Sequence, residues 1–151
     1  MVQPCHLHKE MKMTTSSLKP DVVSQYLQAQ GYQPYIETLG KTDYIIGSRI
    51  KTPDFELVYR LQDGQLIICD FIACREGNQS NRAVIAFIKL IHQIERAVPQ
   101  MRLVRGLQPE SLQPEINALR QRLAKALIAQ GASWQDIDGG SWLVYPNKYH
   151  K

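Results

Sequence analysis

The feature that most constrains this chain is Asp63-Gly64, set inside the run "FELVYRLQDGQLIICDFIAC" at positions 55–74. An Asp-Gly pair between two stretches of strand-forming residues predicts a β-hairpin with a type I′ turn, in which both central residues take positive φ. Gln62 then faces Gln65, and alternation carries the register outward. Leu61 opposes Leu66, Tyr59 opposes Ile68, Leu57 opposes Asp70 and Phe55 opposes Ile72 on one side. The other side pairs Arg60 with Ile67, Val58 with Cys69 and Glu56 with Phe71. Apolar residues stand on both sides, more than a half-solvated antiparallel hairpin carries. Asp70 is the oddity of this register: an acid on the apolar side, read as the sheet's rim or a polar anchor for a partner strand.

Elements on either side follow from similar local chemistry. "KPDVVSQYLQAQG" predicts a helix, with Pro20 in the first helical position, Asp21 favouring the N-terminal dipole and Gly31 as its stop. "PYIETLG" and "DYIIGSRI" predict two short strands. "SNRAVIAFIKLIHQIERAVP" predicts a long helix with Ser80 as N-cap and Pro99 beyond its end. Its wide apolar face holds Val84, Phe87, Ile88, Leu90, Ile91, Ile94 and Val98, with Arg82, Lys89, Gln93 and Arg96 opposite. "MRLVRGL" predicts a strand. "SLQPEINALRQRLAKALIAQG" predicts a helix with Leu112, Ile116, Leu119, Leu123 and Leu127 as its stripe and Gly131 as its stop. "SWQDID", a Gly-Gly turn and "SWLVYP" close the chain as a second hairpin.

The expected fold class is therefore α+β: a single domain with an antiparallel sheet and about three helices, in the order α-β-β-β-β-α-β-α-β-β. A length of 151 residues suits one domain, and 44% hydrophobic with 21% charged residues suits a folded core. Residues 1–18 are expected to form a flexible N-terminal tail, 19–147 the domain and 148–151 a short C-terminal tail, with Met1, Met11 and Met13 all open as the natural start. Three cysteines, Cys5, Cys69 and Cys74, are too few and too odd in number for a disulfide framework. No apolar run approaches membrane-spanning length and no secretory leader is evident, so the expected location is cytoplasmic.

No constellation points to catalysis. Phosphate-binding glycine loops and nucleophile elbows are absent from the sequence. Cys5, His6 and His8 lack the second ligand pair that a zinc site needs. "DIDGG" at 136–140 lacks the third oxygen ligand and closing glutamate of a calcium loop, and a tight turn explains it more simply. Cys69 and Cys74 read as small buried hydrophobes facing opposite ways. His92 and Glu95 share a helix side, and Glu95 is expected to reach the rim and meet a cation, since a buried unpaired carboxylate is costly. Neither enzyme activity, nor a cofactor, nor a metal is expected. A net charge of +4 leaves room for acidic partners. Arg102, Arg105, Arg120, Arg122 and Lys125 form the alternative reading, a nucleic-acid patch, but stacking aromatics and a recognition helix are not apparent beside them.

"ELVYRLQDGQLIICDF", a following helix, and "ALRQRLAKALIAQGASWQDIDGGSWLVY" resemble the small type III secretion proteins of the SseE group and, in layout, the LcrR proteins. The resemblance runs from about Asp21 to Tyr145 and is most specific over Leu57–Phe71 and Leu119–Trp142. It implies a bacterial cytoplasmic accessory protein, a chaperone or regulator acting around secreted translocator subunits, without enzymatic activity. Secretion chaperones are typically acidic, whereas this chain is basic. A partner's apolar segment, or a second copy in a homodimer, would then cover an apolar surface. Phe55, Leu57, Tyr59, Ile67, Phe71, Phe87 and Ile91 are the residues expected to take part.

Overall fold

The computed structural model describes residues 20–74, 79–106 and 114–150. Helix α1 spans Val22–Ala29, α2 spans Gln79–Ala97 and α3 spans Pro114–Ala129. The strands are β1 (Tyr35–Thr38), β2 (Ile45–Lys51), β3 (Phe55–Gln62), β4 (Gln65–Ala73), β5 (Leu103–Gly106), β6 (Ser133–Ile137) and β7 (Gly140–Pro146). The predicted order of elements holds. The seven strands form one sheet in the order β1-β2-β3-β4-β5-β7-β6. It is mostly antiparallel, but β4 and β5 run parallel, because α2 returns the chain to the same end of the sheet before β5 begins.

Turns and caps follow residue chemistry closely. Asp63 and Gly64 adopt φ of 53° and 76°, the predicted type I′ turn. The second hairpin turns in the same way at Asp138 and Gly139, so Gly140 opens β7 and the Gly-Gly pair is not itself the turn. Asp21 is the N-cap of α1: its carboxylate accepts from the Ser24 amide at 2.7 Å, leaving Pro20 outside the helix. Helix α2 starts at Gln79, one residue ahead of the predicted Ser80 cap. Both "AQG" segments stop their helices alike. Gly31 and Gly131 take left-handed φ, while the amides of Tyr32 and Ala132 donate to the Leu27 and Leu127 carbonyls. Each is a Schellman closure.

The β3–β4 register departs from strict alternation at one point. Pairs from Gln62–Gln65 out to Tyr59–Ile68 stand as predicted, and then a bulge inserts Cys69. Beyond it Val58 faces Asp70, Leu57 faces Phe71, Glu56 faces Ile72 and Phe55 faces Ala73. One extra residue exchanges the faces of everything after it. Asp70 thereby leaves the apolar side, and Phe71 enters it.

That apolar side is the core. Ile50, Phe55, Leu57, Tyr59, Leu66, Ile68, Phe71, Val104, Leu143 and Tyr145 pack against residues of all three helices. Phe55, Phe71 and Phe87 stack around one another with ring centroids 5.0–5.9 Å apart. The Tyr59 hydroxyl, buried beneath α1, lies 2.7 Å from the Ser24 hydroxyl, which in turn donates to Asp21. This chain of contacts ties the first turn of α1 to the centre of the sheet. No helix among the described residues is long and apolar enough to cross a membrane.

Candidate partner-binding face

Since the three helices share one side, the other side of the sheet carries no helix among the described residues. Registers place its side chains in rows across the strands. One row reads Arg60, Ile67, Arg105, Val144 and Ser133 on β3, β4, β5, β7 and β6. Val58, Ile67 and Val144 are 3–4% exposed even here, outside the core cluster. Long side chains lie over such a floor through their aliphatic stems. Gly47 extends the row on β2. A Cβ there would meet the Tyr59 carbonyl oxygen at 2.2 Å, so only glycine fits and no side chain stands beside Arg60 on that strand.

Charge divides this face in two. Towards β1, Arg49 is saturated: it bonds Glu37 at 3.0 Å and Glu56 at 2.7 Å. Its donation to the Glu37 carboxylate is the largest of the effects that raise its pKa further above the usual arginine value. Towards β7, the Arg105 guanidinium lies 4.4 Å over the Trp142 ring and donates from Nε to Gln65 at 2.8 Å. The Arg60 Nε is buried with no hydrogen-bond partner among the described residues. Among the described residues neither Arg60 nor Arg105 meets a carboxylate within ion-pair distance. Arg60 and Arg105 therefore flank Ile67 with their backbones about 10 Å apart by strand spacing.

The structure separates the seven residues predicted for partner contact. Phe55, Leu57, Tyr59, Phe71, Phe87 and Ile91 are core, each no more than 6% exposed on the helix-covered side. A partner reaches them only by parting helix from sheet. Ile67 alone belongs to the open face. The five cations of the alternative patch are also dispersed. Arg105 stands on the open face, Arg102 donates its amide to the Gly64 carbonyl at the hairpin turn, and Arg120, Arg122 and Lys125 ride on α3, which packs against the opposite face. Both cysteines of the hairpin are exposed, not buried: Cys69 is the unpaired bulge residue and Cys74 lies past the end of β4. Partial desolvation pushes the Cys69 thiol up, against the pull of nearby Arg60. Cys5, His6, His8 and Leu112 lie outside the described residues.

Glu95 overturns its expectation. It is 1% exposed and accepts a short hydrogen bond from the Tyr145 hydroxyl, with His92 Nδ1 at 3.2 Å from the same oxygen. The other His92 nitrogen lies 2.9 Å from Gln130 at the end of α3. Burial, then this hydrogen bond, pushes the Tyr145 phenol far up, so it stays a donor. The group pins α2 and α3 to β7. Tyr145 sits 50 residues from Glu95 and only the sheet topology brings them together. Among the described residues no cluster of three or more His, Cys, Asp or Glu could hold a metal ion. No protein-family model, curated protein or solved structure matches the chain.

Proposed function

We propose that this protein is a type III secretion accessory protein, a bacterial cytoplasmic chaperone or regulator that holds a secreted translocator on the open face of its sheet. The observation that carries the binding role is the asymmetry of the sheet: the described helices cover one side, and on the other Val58, Ile67 and Val144 share a face with Arg60, Arg105 and Trp142. The secretion context rests on the SseE-like segments Leu57–Phe71 and Leu119–Trp142. In this reading the protein is a binder and not an enzyme. It acts by burying a partner's apolar area, worth about 25 cal/mol per Å² before ordering costs.

The test is affinity purification of the tagged protein from its own bacterium with secretion induced, followed by mass spectrometry. Translocator subunits should be enriched over an unrelated tagged control. Recovery of no secretion component at all would remove the proposal.

A further inference from the structure

Whatever the open face holds, we infer that β6 is a dimerisation edge: two copies of the chain join β6 to β6, antiparallel about a two-fold axis at Gln135, into one continuous sheet. The open sheet has two edges, β1 and β6. An edge strand presents unpaired amides and carbonyls, and folds guard it with proline, charge or a bulge. On β1 all three are present: Pro34 precedes it, Glu37 is ion-paired to Arg49, and a bulge falls between Glu37 and Thr38. β6 is bare by comparison. Its register with β7 runs unbroken from Ser133–Val144 to Ile137–Gly140, it holds neither proline nor a basic residue, and four of its five residues are exposed. Beyond that ladder its backbone meets no partner among the described residues.

Apolar side chains gather along the same margin. Trp134 lies opposite the core residue Leu143, so it points to the helix side, where it is 43% exposed. On α3, Leu127 faces the core and Gln130 turns towards His92 of α2. At 100° per residue Ile128 falls on the other flank, away from α2, and is 45% exposed. Because α2 rests on β3 and β4 while α3 rests on β7, that flank looks over β6. The strand's own sequence selects a second copy as the occupant. An axis at Gln135 uses all five residues, sets Trp134 against Asp136 of the second copy and Ser133 against its Ile137, and never opposes the strand's one charge to its like. It also keeps both sets of helices on one side, so that Trp134 and Ile128 of each copy line the seam. A head-to-tail contact of β6 with β1 would grow an open filament, and the guards on β1 oppose it.

Analytical ultracentrifugation of the full chain tests this. Wild type should pass from monomer to dimer with a midpoint on the order of 10 μM. Gln135→Lys and Gln135→Glu each place like charges at the axis and should weaken the dimer about five- to tenfold, whereas an equimolar mixture of the two should form a heterodimer at least as tight as wild type. Gln135 is exposed and its side chain bonds only Ser133 nearby, so both variants should unfold at the wild-type denaturant midpoint. Trp134→Ala should weaken association about tenfold, and Tyr35→Lys on β1 should leave it unchanged. A wild-type chain still monomeric at about 1 mM would overturn the inference. So would a dimer indifferent to charge at position 135, a mixture no tighter than its components, or a dimer broken by Tyr35→Lys and not by Gln135→Lys.

Discussion

Ile67 and Ile68 are neighbours in β4 and almost equally buried, yet they belong to different environments. Ile68 sits in a core built from three helices and one side of the sheet, where aromatic rings and aliphatic chains fill the space between layers. Ile67 points to the other face, in a row between Arg60 and Arg105. The helix-covered face is held by shape. The other face carries ion pairs and a cation–ring contact beside its buried aliphatic residues. Equal burial in a free protein thus hides unequal commitment to the fold.

The sharpest way to break this comparison is to remove a ring from the covered side. Phe87→Ala should cost about 3–5 kcal/mol, since Phe55 and Phe71 lose their common neighbour and the cavity is deep. Chemical denaturation would show it as a fall in midpoint with an unchanged slope; a loss below about 1 kcal/mol would mean that the core is not packed as described.

A pH scan sharpens it next. Burial raises the Tyr59 phenol from 10.0 to about 12. The folded state thus favours the neutral phenol, whose contribution is complete below about pH 10 and is lost as pH climbs towards 12. Across that window native stability should fall by about 2–3 kcal/mol more than that of Tyr59→Phe, at 1.36 kcal/mol per unit. Parallel alkaline profiles for the two proteins would contradict the buried setting of this hydroxyl.

The smallest effect belongs to the open face. Arg105→Ala removes a stacking contact on Trp142 and one hydrogen bond, and should cost about 1 kcal/mol or less in unfolding. A loss as large as that of Phe87→Ala would erase the distinction between the faces.

Much of this was legible in the sequence, and what escaped did so for physical reasons. Asp63-Gly64, the two "AQG" stops and the stripe of α2 are local chemistry, so their structural outcome follows from a few adjacent residues. The bulge at Cys69 is not local in that sense: strict alternation and alternation with one extra residue use the same turn. They differ in whether Asp70 or Phe71 meets the core, and the cost of burying an acid decides between them. The parallel β4–β5 pair and the Glu95–Tyr145 bond depend on where the chain returns after α2, which no short segment encodes. Arg60 and Arg105 are 45 positions apart in number and two strands apart in space, so their pairing becomes visible only once the sheet is assembled.

The strand order has a kinetic consequence. Strands β1 to β5 sit side by side in the order in which a ribosome delivers them, so each new strand finds its template already made. Only at the end does this change: β7 must dock on β5 with β6 carried outside it. Until the last residues of β7 emerge, β5 is an unpaired edge and Tyr145 has not yet reached Glu95. A sheet of β1 to β5 alone has margins at β1 and β5, and docking of the C-terminal hairpin moves the second of these out to β6.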